Sequence, residues 1–229
     1  MPAKREFRGV RFLLFDIDDT LFPSSEFAKK ARKNAIAAML SAGLPADANS
    51  VSAALREIIC KKGANNQEHF DLLCKKLKCK NPAKIIASAI RAYHDTKRQI
   101  APYPRVSSLL AKLRKRGFVL CVATEGIAKK QWDKLIRLGL QDSFDSVFIS
   151  EELGLNKSPN FYLRICRALG AKPSTCAMIG NHPVLDVLSS RKAGMVAIRV
   201  LKGKHQKEKC NSDFAVRNIS EVGKLPILK

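Results

Sequence analysis

No two of the chain's seven cysteines form a Cys-x-x-Cys pair; they lie scattered at 60, 74, 79, 121, 166, 176 and 210. Their number is odd, and the four histidines do not complete a zinc spacing with them. These absences exclude a disulfide framework and a zinc module, and the expected state is free, mostly buried thiols in a reducing cytoplasm. No apolar run approaches the roughly 20 residues a membrane helix needs. The N-terminal MPAKREFRGVRFLLF sets a basic stretch before an apolar one, but the apolar part is short. It ends on Asp16 without a small-residue cleavage site, so it does not read as a signal peptide. Internal repeats and low-complexity segments are also missing.

Acids are scarce: 20 Asp and Glu stand against 42 Lys and Arg, a formal charge of +22. Such a surface attracts anions, whether phosphorylated metabolites, nucleic acid or membrane surfaces. The basic residues are nevertheless spread along the chain, many three or four apart, as on solvated helix faces. No zinc-finger, RNA-recognition or helix-turn-helix pattern supports a dedicated nucleic-acid site. A general basic surface and a specific polyanion partner such as RNA both remain open.

At 229 residues the chain is long enough for one substantial core with a smaller satellite. Continuously apolar runs occur at VRFLLFDID, Phe118–Thr124, Ser146–Ser150, Thr175–Gly180 and Met195–Val200, and helical patterns alternate with them. Strands apolar on both faces belong between two layers of helices, so the pattern predicts an α/β fold with a doubly wound, Rossmann-like parallel sheet. FAVRNISEV predicts a last short strand and turn. Between Phe22 and about Gln99 the rhythm stops. Amphipathic segments there predict helices over Glu26–Ser41, Ser50–Lys62, Asn66–Leu77 and Pro82–Lys97, broken by Gly-Leu-Pro, Gly-Ala-Asn and Asn-Pro. We read 23–99 as an inserted all-helical domain and 1–22 with 100–229 as the core.

Ligands of open α/β sheets bind at the carboxyl ends of the strands. Those ends carry Asp16, Asp18 and Asp19 after the first strand, Thr124-Glu125-Gly126 after the second, Lys157 shortly after the third, and Gly180-Asn181 with Asp186 after the fourth. Any one of these has an ordinary explanation. Asp-x-Asp often caps a helix, Lys157 alone would be a solvated loop residue, and Asp186 alone would be an acid at a helix start. Their convergence on one rim is the specific signal. Trp132 reads as packing, His182 does not suit a hard cation, and Asp19 reads as lying outside the chemistry.

FDIDDTLF, ARKNAIAAMLSAGLP, AYHDTK, PYPRV, KQWDKLIRLGL and SEELGLNK together resemble the haloacid dehalogenase-like superfamily, in the branch whose helical cap follows the first strand. Within it the wording is similar to an archaeal phosphatase group described as acting on glyceraldehyde 3-phosphate. The resemblance implies a phosphatase for a small phosphate monoester. Asp16 would attack phosphorus to form an aspartyl-phosphate, and Asp18 would be the general acid and then the base. Residues two apart in a strand point the same way, which suits that pair. Thr124, with Glu125 and Gly126 beside it, would bind the phosphoryl group, and Lys157 would neutralise charge. Mg²⁺ would be held by Asp16, the backbone of Asp18, and Asn181 or Asp186.

The fourth motif departs from that family, whose pattern is Gly-Asp-x-x-x-x-Asp where this chain has GNHPVLD, Gly180–Asp186. An amide replaces the usual metal-binding acid, which predicts weaker Mg²⁺ binding unless Asp186 compensates. KSPNFY is two residues shorter than the usual arrangement after the lysine, and Glu125 stands where a shorter Asp or Asn is common. Three readings follow: a Mg²⁺-assisted phosphatase, an impaired relative that binds phosphate esters or an anionic partner such as RNA, and a metal-free haloacid dehalogenase. Asp18 weighs against the last, since halide departure needs no acid two residues after the nucleophile.

Overall fold

A computed structural model of the chain describes residues 9–64 and 66–228. The basic stretch before Gly9, weighed above as a signal peptide, lies outside the described residues. Six parallel strands form one sheet in the order β3-β2-β1-β4-β5-β6. They are β1 (Phe12–Phe15), β2 (Val119–Thr124), β3 (Ser146–Ile149), β4 (Cys176–Gly180), β5 (Val196–Val200) and β6 (Phe214–Val216). Every residue of β4 and β5 is buried, as strands covered on both faces must be. One covering layer packs Leu14 and Met178 of the sheet against Phe161, Tyr162 and Ile165.

The chain runs outward from β1 through β2 to β3, then returns to place β4 on the other side of β1. The sheet therefore reverses direction at β1, and such a switch point opens a crevice beyond the strand ends. Register brings those ends level: Phe15 pairs with Val122 on one side and Ile179 on the other. Asp16 N donates to Ile179 O, so the first acid leaves the sheet beside the end of β4.

The described residues divide into two compact units: the first comprises 9–25 and 101–228, the second lies within Glu26–Ile100. The second unit is helical, with α2 (Ala48–Lys62), α3 (His69–Lys76), α4 (Pro82–Lys97) and most of α1 (Ser24–Ser41). Met39, Val51, Leu55, Leu73, Ile85 and Ala89 form its core. Asp47 starts α2 by accepting from Asn49 N and Ser50 N, and Pro82, which has no N–H to satisfy, starts α4. α3 begins three residues later than the apolar pattern predicts. Asn66 Oδ1 accepts from Glu68 N there, an alternative to helix that short polar side chains offer the backbone.

All seven cysteines are free, and four are buried. Lys29, Lys30, Lys61, Lys62, Lys112 and Lys115 are exposed along their helices. Among the described residues no helix is long and apolar enough to cross a membrane.

Candidate active site

Lys157 is the centre of the rim. Its ammonium donates to Asp16 Oδ1 at 2.7 Å and to Asp186 Oδ1 at 2.6 Å, and all three residues are buried. The Asp16 carboxyl is raised to about 7, chiefly by burial; Lys157 opposes this, and Asp186 and Asp18 act with burial. Burial acts to discharge Lys157 as well, but the two carboxylates outweigh it and hold the ammonium above its ordinary value. A buried cation between two acids is tolerable only with such pairing.

The local sequence places Lys157 there. The shortened KSPNFY puts Ser158, the N-cap, and Pro159, the first residue of α8 (Pro159–Ala168), directly after the lysine. Ser158 Oγ accepts from Phe161 N. Glu125 Oε2 accepts from Lys157 N at 2.6 Å and so fixes the lysine backbone from the end of β2. The longer acid thus reaches the lysine's main chain, whereas the sequence placed Glu125 among substrate contacts. Behind it, buried Tyr162 donates to Leu185 O at 2.9 Å.

Thr124 ends β2 fully buried, and its hydroxyl has no hydrogen-bond partner. The Thr20 hydroxyl, which the sequence reading passed over, is likewise buried without a partner. Such groups are uncommon in folded proteins and mark places where a ligand or water completes the bonding. Gly126 N donates to Ser150 Oγ at 2.9 Å, so this amide already serves the scaffold. Gly126 has φ +133°, and a Cβ there would lie 2.7 Å from Gln131 Nε2. Only glycine fits that turn without displacing the Gln131 amide.

Asp18 is held by a residue to which the sequence reading gave no role. Lys134, on α6 (Ala128–Arg137), donates to both Asp18 oxygens, at 2.7 and 2.6 Å. It also donates to Gln131 Oε1 at 3.2 Å, and Gln131 Nε2 donates to Glu125 O at 2.6 Å. The only available signal was the spacing of Gln131 and Lys134, three apart on a helix that follows the second motif. Asp19 faces elsewhere, accepting from both the backbone N and the hydroxyl of Ser25. Trp132, half-buried on α6, donates to Glu152 Oε1 at 3.3 Å.

Beyond β4, Asn181 Nδ2 donates to Lys202 O at 3.3 Å. His182 Nδ1 accepts from Val184 N and Leu185 N, capping the wide turn Pro183–Leu188. Its imidazole is biased toward the neutral form by burial and by the neighbouring His205. Asp186 has both oxygens engaged, Oδ1 with Lys157 and Oδ2 with His182 N at 2.8 Å. Gly180 makes this possible, because a Cβ there would lie 2.3 Å from Asp186 Oδ2.

Residues 13–200 match the sequence profile of the haloacid dehalogenase-like hydrolases. The chain belongs to this family. It is 42% identical over 217 residues to a glyceraldehyde 3-phosphate phosphatase of Methanopyrus kandleri, covering 93% of this chain and 91% of that one. A protein of the same name from Methanocaldococcus jannaschii is 37% identical over 217 residues, with 93% and 95% covered. Among solved structures, the 2-haloacid dehalogenase of Pseudomonas syringae pv. Tomato superposes with a TM-score of 0.67 at 22% identity, covering 94% of this chain and 97% of that one. That last likeness is one of fold. The chain is an enzyme of the hydrolase class, and its relatives' phosphatase names direct the functional reading below.

In haloacid dehalogenase-like phosphatases the expected cofactor is Mg²⁺. Among the described residues no three His, Cys, Asp or Glu side chains cluster as a metal site. Asp186 was weighed as a partial substitute for the acid missing at Asn181; its Oδ1 accepts from Lys157 and its Oδ2 from His182 N. Asn181 gives its N–H₂ group to Lys202, which leaves the amide oxygen as a donor to a cation. Asp16, that amide oxygen and the Asp18 carbonyl are all hard donors, so the set fits Mg²⁺ in kind, with one negative charge.

Proposed function

We propose that the chain hydrolyses a small phosphate monoester through an aspartyl-phosphate on Asp16. The observation that carries this reading is the buried Lys157 between Asp16 and Asp186, in a site that also holds the unpartnered Thr124 hydroxyl. Lys157 keeps one Asp16 oxygen occupied and leaves the carboxylate its second oxygen for attack on phosphorus. Thr124 donates to a phosphoryl oxygen, and the lysine charge offsets what develops there. Asp18 gives a proton to the departing alkoxide and then takes one from the water that cleaves the aspartyl-phosphate. Asp16, the Asp18 carbonyl and the Asn181 amide oxygen would hold Mg²⁺, which when bound would further neutralise the phosphoryl charge. The helical unit, 23–99 as read from the sequence, serves as the cap that selects the substrate.

Relatives at 32–42% identity are named for glyceraldehyde 3-phosphate, which supports a phosphorylated triose as the first substrate to test. The halide reading has Asn181 in its favour, but it leaves Asp18 and its Lys134 partner without a task. The test is release of orthophosphate from glyceraldehyde 3-phosphate and from an aryl phosphate, across a Mg²⁺ series. Turnover that Asp16→Asn abolishes supports the proposal. Wild-type protein inert toward both esters at every Mg²⁺ concentration overturns it.

A further inference from the structure

Three acceptor atoms surround the Lys134 ammonium: Asp18 Oδ1 and Oδ2, close enough together to share one N–H, and Gln131 Oε1. Lys134 is four-fifths buried, and Gln131 is buried almost completely. Gln131 is itself fixed, since its amide donates to Glu125 O and lies where any Gly126 side chain would collide with it. Asp18, at the end of β1, is therefore tied through α6 to the backbone at the end of β2, one residue after Thr124. A surface lysine paired with a surface acid would be loose and nearly neutral in energy. Here the lysine is mostly buried and Gln131, which it also contacts, is itself hydrogen-bonded, so the pair restricts the Asp18 carboxylate more than a surface pair would.

We propose that Lys134 is a positioning residue that holds the Asp18 carboxylate ready to accept a proton from water in the second half of the reaction. The inference rests on the aspartyl-phosphate reading. In the proposed cycle Asp18 gives its proton to the leaving oxygen, and Lys134 lies within hydrogen-bond distance of both of its oxygens. In the hydrolytic step water oxygen bonds to phosphorus and one water proton passes to Asp18. The bond between phosphorus and the Asp16 oxygen breaks with its electron pair returning to Asp16, and orthophosphate leaves. Without Lys134 the carboxylate rotates freely and this step slows, while phosphoryl transfer from an ester with a good leaving group, which needs no proton, does not.

The experiment compares wild type with Lys134→Met, Lys134→Gln and Lys134→Arg on 4-nitrophenyl phosphate, in steady state and by stopped flow, with folding checked by thermal melts. Met and Gln should each lower kcat by roughly 10- to 100-fold, within the range of acid–base contributions. They should keep kcat/KM within about 3-fold and release an initial burst of nitrophenolate approaching one equivalent per enzyme. Arg, which presents a forked cation, should restore kcat to within about 5-fold of wild type. Equal losses in kcat and kcat/KM without a burst, in whichever of Met and Gln folds, overturn the inference and leave Lys134 structural. A wild-type kcat in either overturns it too. Failure of wild type to turn over the ester at all would instead overturn the phosphatase reading.

Discussion

Lys157 Nζ stands 2.7 Å from Asp16 Oδ1, a cation on the proposed nucleophile with both side chains closed off from solvent. The pair links fold and chemistry. Asp16 is placed by the register of β1 against β4, and Lys157 by the start of α8 and the reach of Glu125. The lysine is the shared partner of two buried acids, Asp16 and Asp186, so its removal strands their charge.

Lys157→Met should therefore damage stability as well as rate. It leaves Asp16 and Asp186 facing one another without a cation, at a cost of about 3–5 kcal/mol. Urea unfolding should show the midpoint falling by that equivalent, and phosphate release should drop below a hundredth of wild type. A variant as stable as wild type would mean that the two acids do not depend on the lysine.

Asp16 makes stability depend on pH in an unusual direction for an aspartate. Its folded value, raised to about 7 mainly by burial, lies above the ordinary 3.8. The folded state thus binds this proton more tightly than the unfolded chain does. The stability it contributes is fully present below pH 3.8 and is lost as pH rises through about 7. Asp16→Asn removes the loss while keeping an oxygen for Lys157. In chelator, calorimetry at pH 8 should find the variant melting a few degrees higher than wild type, on the order of 2 kcal/mol, with the gap closing toward pH 4. Wild type melting higher at pH 8 would show that the lysine outweighs burial.

Asn181→Asp exchanges a donor to the Lys202 carbonyl for a carboxylate facing that oxygen. Without cation the variant should lose about 1–3 kcal/mol, the usual cost of leaving a buried polar group unmatched. With Mg²⁺ the added charge should reverse this. Melting temperature should climb more steeply with Mg²⁺ in the variant than in wild type, and activation should saturate at lower Mg²⁺. Parallel Mg²⁺ responses in both proteins would place the cation away from Asn181.

The sheet was legible because its strands are short, continuously apolar and end on chemistry-bearing residues. Asp16, Thr124, Lys157 and Asp186 stood out for the same reason: each sits where a parallel sheet delivers its ligands. What stayed hidden was mostly partnership. Nothing in GNHPVLD says that Asp186 will spend both oxygens on Lys157 and His182, because that depends on the close approach over Gly180. Glu125 supports the Lys157 backbone across 32 positions, and Lys134 reaches Asp18 across 116. Contacts so distant in sequence leave no local pattern, and a lysine on a strongly basic chain does not draw notice.

Thr124 separates a binding role from a scaffolding one. Its hydroxyl is buried and unpartnered, so the folded protein carries the cost of desolvating it with no return in bonding. Thr124→Val keeps the shape and the strand preference of a β-branched residue while removing that hydroxyl. If the group exists to contact a phosphoryl oxygen, the variant should be as stable as wild type or up to about 1 kcal/mol more stable. Its kcat/KM for a phosphate monoester should fall by roughly 10- to 100-fold, the scale of a lost transition-state donor. Denaturant titration and initial rates on one preparation decide the matter. Stability and activity should move in opposite directions, whereas a hydroxyl that serves only the scaffold would lower both, and one that serves neither would leave kcat/KM unchanged.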